Sequence, residues 1–228
     1  MNDVNKTTSK DLAYATAKAV MGSIPYAGAA VSELIGLIIA PPIEKRREKW
    51  MTEVGQKLKD LEEASKVDIT KLTNNPQFID TVLQATSYAL KTSDEEKIAA
   101  FRNAIINTAI GDVPEQTISQ IFLTLIDNFT SWHIKILHLF DNPSEWFKQN
   151  GMTFPDYTMT SLSTVVIEAY PILKGQNELL DLIWSDLKQG GLHNTSDLRT
   201  SMSGNSLLAN RTTDLGKKFL NFISDQNW

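Results

Sequence analysis

One long apolar segment dominates the hydropathy pattern near the start of the chain. Between Lys18 and Glu44 the only charged residue is Glu33, and the charged sequence EKRREKW follows at residues 44–50. An apolar segment of membrane-spanning length beside a cationic cluster is a pattern found where chains meet a bilayer. The first question is therefore whether this segment is the buried core of a soluble protein or a membrane contact.

Prolines divide the apolar segment into two predicted helices. One begins near Ser9 or Asp11 and stops before Pro25. The other covers residues 26–40 and ends at Pro41 and Pro42, because proline lacks a backbone donor and restricts the residue before it. The pattern predicts an apolar helical hairpin.

Length argues against a simple membrane span. Fifteen residues separate Pro25 from Pro41, which gives about 22 Å of helix, whereas a hydrocarbon core is about 30 Å thick. Glu33 in the middle would add a further cost in lipid. We expect a buried hairpin in a soluble helical bundle. A conditional or peripheral membrane contact is the main alternative, and a constitutive single-pass anchor is the weakest one.

Small residues recur every four positions along this segment, at Gly28, Ser32, Gly36 and Ala40. They form one strip down a helix, and such strips let two helix backbones approach closely in membranes and in tight soluble hairpins. We predict that this strip is a close-packing surface.

The next helix is predicted from residue 43 to residue 65. Its apolar positions form one narrow stripe, at Ile43, Trp50, Met51, Val54, Leu58 and Leu61, which is typical of an amphipathic helix that packs inside the chain or pairs with a second copy. Its first turns carry the candidate membrane or anion contact, formed by Lys45, Arg46, Arg47, Lys49 and Trp50. A solvated helix face is the simpler interpretation of these charges, because Glu44 and Glu48 can pair with them.

Further helix signals follow along the chain. Asn75 and Pro76 predict a helix start, residues 93–96 (SDEE) predict a capping box, and Gly111 predicts the end of that helix. Pro114 opens the next predicted helix, with Ile118, Ile121, Phe122, Leu125 and Phe129 inward. Shorter helices follow from Thr130 or Ser131 to Phe140 and from Pro143 to Gly151.

Residues 151–160 are the best linker candidate, so we predict a helical bundle over residues 1–150 and a smaller subdomain over residues 160–228. Helices are expected at 162–173 and 177–188, a loop or β-hairpin at 193–213, and a last helix capped by Thr213. This order is similar to the end of winged-helix domains. That resemblance implies DNA binding or protein docking. The helix 177–188 carries Glu178, Asp181 and Asp186 against one lysine, which favours protein docking over nucleic acid.

The residues that carry chemistry in enzymes do not occur here at the necessary spacings. The chain has no cysteine, its three histidines lack metal-binding spacing, and no phosphate-binding loop or serine-nucleophile motif is present. We therefore predict no catalytic residue, no metal and no cofactor. The aromatic group Trp132, Phe140, Trp146, Phe147 and Phe154 is expected to pack in the core, with a ligand pocket as the alternative.

Composition adds little beyond solubility. A net charge of −5 and 42% hydrophobic residues fit an ordinary globular protein, and charges among the first eighteen residues argue against a secretory signal peptide. We expect a cytoplasmic protein, and the alternative is a location at the periphery of the inner membrane. We also expect it to have a protein partner or to associate with itself.

Scattered segments resemble a group of bacterial helical proteins. They are IPYAGAAVSELIGLIIAPPIEKRREKW, EEKIAAFRNAI and TDLGKKFLNFI, and they are similar to proteins of the abortive-infection class called Abi-alpha. The resemblance implies an all-α fold and phage-defence or toxin-like work without an enzyme active site. A winged-helix regulator and a small-molecule-binding helical bundle are the alternative functions.

Overall fold

The computed structural model describes residues 29–111 and 113–225, with side chains from Ile43 onward except that of Asn205. The chain divides into two compact units, Met1–Lys57 and Leu58–Trp228. The predicted linker at residues 151–160 lies inside the second unit.

The first described helix, α1, is continuous over Ala29–Glu63. The prediction that Pro41 and Pro42 end a helix is therefore wrong, and so is the predicted break before residue 43. Proline has a φ angle compatible with a helix, and the helix continues through both residues despite the loss of two N–H donors and the steric conflict of each ring with the preceding turn. Within α1, Trp50, Val54 and Leu61 are buried whereas Ile43 and Met51 are exposed. The predicted apolar stripe is thus buried only in part.

The second unit is built from helices joined by short connections. After the end of α1 come α2 Ile69–Leu72, α3 Pro76–Ala89, α4 Glu95–Ile110, α5 Gln116–Asn128, α6 Ser131–Asp141 and α7 Pro143–Gln149. Then follow β1 Met159–Ser161, α8 Leu162–Ala169, a 3₁₀ turn Pro171–Leu173, α9 Asn177–Gln189, β2 Ser201–Ser203, α10 Gly204–Leu207 and α11 Asp214–Ile223. The described chain is mostly helical, as predicted.

Local capping residues set the predicted helix ends. The Asn75 side chain accepts a hydrogen bond from the Phe78 N–H at 3.2 Å, and Gly111 ends α4 with a left-handed φ of 87°. The N-cap of α4 is Asp94, which accepts from the N–H groups of Glu96 and Lys97. The predicted capping box at residues 93–96 is therefore wrong in its N-cap. A carboxylate at this position satisfies two helix donors directly and lies favourably in the helix dipole.

Helix α4 is the central element of the second unit. Its residues from Asn103 to Thr108 are all buried, and it packs against α3, α5 and α11. The rings of Phe122 on α5 and Phe219 on α11 meet edge to face, with centroids 5.2 Å apart. The predicted inward face of α5 is wrong at Ile121, which is 51% exposed.

The two strands pair with each other and not within a local hairpin. β1 and β2 are antiparallel, with Met159 opposite Ser203 and Ser161 opposite Ser201. The segment 193–213, predicted as a loop or β-hairpin, thus contributes one strand to a partner that precedes α8. The two ends of this segment also pair with each other, through an isolated antiparallel bridge between His193 and Thr212. The segment is therefore a loop closed at its base, and its strand β2 pairs outside it.

Candidate functional site

The segment predicted as a membrane or anion contact lies on α1, and its four cationic side chains are exposed to water. Lys45, Arg46, Arg47 and Lys49 are exposed, and the Lys49 ammonium lies 3.8 Å from the Glu53 carboxylate. Trp50, which completes the predicted contact, is only 3% exposed. The structure therefore places the four cations on an accessible surface and the indole away from it.

The predicted close-packing strip lies mostly outside the described side chains. Ser32, Gly36 and Ala40 are part of the continuous helix α1, whereas Gly28 lies outside the described residues, so close packing by this strip stays a prediction. Within the part of the chain that the structure describes, no helix has both the length and the apolar character needed to cross a bilayer.

A groove of about 360 Å³, open to solvent, lies on the second unit. Helices α4, α6 and α7 contribute most of its residues, and Tyr170 and Ile223 come from the ends of α8 and α11. Its floor is apolar because Ala99, Ala100, Ile134 and Ile223 line it. A volume of this size is in the range of small-molecule sites.

Two aromatic residues of the groove lining, Trp146 and Tyr170, belong to a larger series of packed rings. The Tyr170 ring packs at steep angles against Trp132 and Trp146, with centroid distances of 5.4 Å and 5.2 Å. Trp146 also meets Phe147 edge to face, and Phe147 contacts Phe154. Four of the five aromatic residues that the sequence grouped together are therefore close in space. Phe140 points elsewhere and packs on Trp184 in the core.

An ion pair lies at the polar side of the groove. The Lys135 ammonium is 2.6 Å from the Glu96 carboxylate, and both side chains are about two-fifths exposed. The same ammonium lies 5.0 Å from the centroid of the Trp132 ring, which places it where a cation is attracted to an aromatic face. Lys135 is therefore held by a carboxylate and a ring at once.

Two titratable groups of the groove stay neutral near pH 7. Burial, assisted by the nearby Glu96 charge, raises the pKa of the Tyr170 phenol to about 12. The His138 side chain is exposed, yet it lines a concave surface where protein atoms displace water, and this desolvation lowers the pKa of His138. Both side chains can thus exchange hydrogen bonds with a ligand without carrying charge.

A second histidine is buried and serves the fold. His133 Nδ1 accepts from the Thr130 N–H at 3.1 Å, and His133 Nε2 lies 3.2 Å from the Asp186 carboxylate. Because Nδ1 accepts, the ring proton is on Nε2 and is donated to Asp186. The ring stacks on Phe129 with centroids 4.7 Å apart. The imidazole thus completes a capping box at the start of α6 and ties that helix to α9.

We expect acid to destabilise the protein partly through His133. Burial lowers the pKa of His133 more than Asp186 raises it, so below about pH 6.5 the unfolded chain binds a proton that the folded chain refuses. Folding stability therefore falls as the pH drops from about 6.5 towards the lowered pKa, by at most about 1.4 kcal/mol per pH unit for this group.

Urea unfolding of wild type and His133→Gln at pH 7.5 and pH 5.0 measures this contribution. Glutamine preserves the capping box and cannot be protonated, so we expect a smaller loss of stability at pH 5.0 in the variant. His138 and His193 contribute to the remaining loss, because desolvation also lowers their pKa values. Equal losses in the two proteins would contradict the assignment.

The described residues hold no cluster of His, Asp and Glu that could bind a metal ion. His193 Nδ1 accepts from the Thr195 N–H, so its Nε2 carries the ring proton and donates to the Trp184 carbonyl oxygen, 2.8 Å away; the ring stacks on that of Trp184. The three histidines therefore lie apart, each with its own protein environment.

The groove contains residues that the sequence analysis did not identify. Glu96, Lys135 and Tyr170 come from three different elements, and no spacing in the sequence connects them. The only available signal was the density of aromatic residues between positions 132 and 154.

Fold and groove together define a mostly helical protein with an open, aromatic-walled surface site. Comparison of the chain with protein-family models, with curated proteins and with solved structures finds no match in any of the three. The functional argument therefore rests on the chemistry of the surface itself.

Proposed function

We propose that this chain is a non-enzymatic helical protein that acts through contact with an anionic membrane surface or with a protein partner, as the resemblance to Abi-alpha proteins in phage defence implies. The observation that carries the proposal is the exposed segment 43–49, in which every side chain is accessible to solvent. The segment has four cations and two carboxylates, so its local charge is positive and would attract anionic headgroups. The net charge of the chain is negative, so the protein as a whole has no general attraction to polyanions.

Burial of Trp50 supports a surface contact over insertion. A tryptophan that anchors a helix at a membrane interface places its ring among the headgroups, whereas this ring is covered. In this proposal the cations hold the headgroups electrostatically, and entry of the apolar segment at residues 24–43 into lipid is a later, conditional event. The protein would then be cytoplasmic and peripheral to the inner membrane.

Removal of the four cations should weaken binding to anionic vesicles. Each cation near an anionic surface contributes about 1 kcal/mol, so changing Lys45, Arg46, Arg47 and Lys49 to Gln should reduce partition onto phosphatidylglycerol vesicles at least tenfold at low salt. Co-sedimentation with vesicles measures the partition, and neutral phosphatidylcholine vesicles should bind neither protein.

The control variant carries the same change in net charge at other places. Lys66, Lys174, Lys217 and Lys218 are also exposed, and their replacement by Gln should change the partition less than threefold. Equal losses in the two variants would mean that only net charge matters. Absence of any binding to anionic vesicles would remove the membrane form of the proposal and leave the protein-partner form.

Small-molecule binding is a second candidate function, and the groove on the second unit favours it. The groove combines an apolar floor, two contacting rings and a small number of polar groups, which is the usual composition of a ligand site. A cytoplasmic sensor of a metabolite would need no catalytic residue, in agreement with the absence of enzyme motifs from the sequence.

A winged-helix role for the C-terminal region remains a weaker proposal. In its favour, β1, α8, α9 and β2 follow one another, and the two strands pair across the helices. The exposed Asp181 on α9 pairs with Arg199 at 2.9 Å, and Glu178 is exposed nearby in sequence. Such a helix would be repelled by phosphates, so protein docking is the form of this proposal that fits the charges.

A further inference from the structure

The lining of the groove favours a flat, apolar ligand body. The floor residues Ala99 and Ala100 present small side chains from α4, and Trp146 and Tyr170 form the adjoining wall. The Trp146 ring is half-buried, so one part of it remains available to a ligand. Aromatic rings pack favourably against the edges and faces of such side chains.

Charge in the groove selects against charged ligands. Glu96 and Lys135 are the two formally charged residues in the lining, and they already form a 2.6 Å pair with each other. A cationic ligand would compete with the Lys135 ammonium for both Glu96 and the Trp132 ring. An anionic ligand would compete with Glu96 for Lys135. A ligand of either sign therefore competes with an existing interaction, whereas an uncharged ligand leaves the pair unchanged.

His138 is a polar group of the lining that can hydrogen-bond to a ligand. The His138 side chain is exposed within the groove lining, and a neutral imidazole offers one donor and one acceptor. The Tyr170 hydroxyl already has protein partners: it donates to the Lys135 carbonyl oxygen at 3.4 Å and interacts with the Trp146 side chain. A ligand with a donor and an acceptor at its edge would match the imidazole of His138.

From this lining we infer that the groove binds an uncharged, planar heteroaromatic molecule with hydrogen-bonding groups at its edge, of the size of a nucleoside or smaller. This inference rests on the second candidate function, small-molecule binding, and is independent of the lipid contact of the cationic segment. It names the class of ligand that such a sensor would take.

Three probes of one shape test the inference about charge. Indole-3-carboxamide is uncharged, indole-3-carboxylate is an anion and 3-(aminomethyl)indole is a cation at pH 7.5. Calorimetric titration or ligand-observed NMR with the full chain measures each dissociation constant. We expect about 0.1–1 mM for the carboxamide, as ligand efficiencies of small fragments allow, and at least fivefold weaker binding of both charged probes.

Two variants, each with an alanine replaced by phenylalanine, locate the binding site. Ala99→Phe fills the groove and should weaken carboxamide binding at least tenfold, whereas Ala209→Phe at an exposed position outside the lining should change it less than twofold. If Ala99→Phe does not fold, Trp146→Leu takes its place, and we expect at least threefold weaker binding.

The outcomes separate the ligand class from the function. Tighter binding of a charged probe that is lost in Ala99→Phe would overturn the inferred ligand class and leave small-molecule binding in place. No saturable binding of any probe, or binding that Ala99→Phe does not change, would overturn both.

Discussion

Gly216→Ala should destabilise the protein by about 3 kcal/mol, near the upper end of the usual cost of overpacking. A Cβ at this position would overlap the carbonyl oxygen of Leu192 and lie 2.5 Å from Thr212 Cγ2. Because the first obstacle is backbone, no rotamer change relieves the overlap. Helix α11 would have to move away, although its Phe219 and Phe222 are fully buried.

Two hydrogen bonds between the start of α11 and residues 191–192 would also lengthen. Thr213 donates its N–H to the Leu192 carbonyl at 3.0 Å and its hydroxyl to the Gly191 carbonyl at 2.7 Å. Any displacement of α11 weakens both, which is why the effect should reach the whole second unit. For a domain of this size, about 3 kcal/mol corresponds to a fall of about 6–12 °C in melting temperature.

Gly111→Ala is the matched control. Gly111 has a left-handed φ of 87°, and a Cβ there would meet no atom within 4 Å. Its replacement should therefore cost only the conformational penalty, about 1 kcal/mol. Thermal unfolding measures the fall in melting temperature of each variant and so compares steric overlap with conformational strain. A fall for Gly216→Ala no larger than that for Gly111→Ala would contradict the close approach of Gly216 to the Leu192 carbonyl.

The sequence predicts features that depend on neighbouring residues. The bond from Phe78 N–H to Asn75 and the bond from Gly216 N–H to Thr213 each join residues three apart, so a short motif contains all the information needed. The end of α4 is equally local, since only glycine adopts the φ of Gly111 at little cost. Most helices of the second unit were predictable for this reason.

Features that depend on distant residues were not predictable in the same way. The partner of β2 is β1, separated from it by α8 and α9, and no property of residues 201–203 alone selects that partner. The Glu96 and Lys135 pair of the groove likewise joins two helices. The prediction at Pro41 failed for a different reason. Proline lacks the N–H donor that a helix uses, and this local property predicted a helix end, yet α1 continues through Pro41.

Two buried asparagine side chains on α4 make a further long-range contact. Replacing one of them is the second substitution for which we expect a large loss of stability. Asn107 is 1% exposed, and its side-chain nitrogen lies 2.9–3.0 Å from the carbonyl oxygens of Asn221, Phe222 and Ser224, which share its two N–H donors. The neighbouring Asn103 donates to the Ile223 carbonyl at 2.9 Å. The last carbonyl groups of α11 have no partners within their own helix, so these two amides satisfy the end of α11.

Asn107→Asp should therefore destabilise the protein by at least about 4 kcal/mol at pH 7, and Asn107→Ala by about 2–3 kcal/mol. Alanine leaves the three carbonyls without their donor inside the protein, where an unsatisfied polar group costs about 1–3 kcal/mol. Aspartate adds a buried negative charge that faces carbonyl oxygens at the negative end of a helix dipole. Urea unfolding at pH 7 measures both losses.

The pH dependence of Asn107→Asp tests the mechanism separately from the size of the effect. The introduced carboxyl would have a pKa above its unfolded value of about 3.9, because its surroundings disfavour the charge. A group with a raised folded pKa destabilises the protein least below its unfolded pKa and more as the pH rises. The loss of unfolding free energy relative to wild type should therefore shrink from pH 7 to pH 4.

Asn150→Asp is the control. This exposed side chain donates to the Trp146 carbonyl at 2.8 Å, and the same change in charge should cost less than about 1 kcal/mol because water solvates it. A deficit in Asn107→Asp that is equal at the two pH values would mean that lost shape, and not the buried charge beside the end of α11, is the cause.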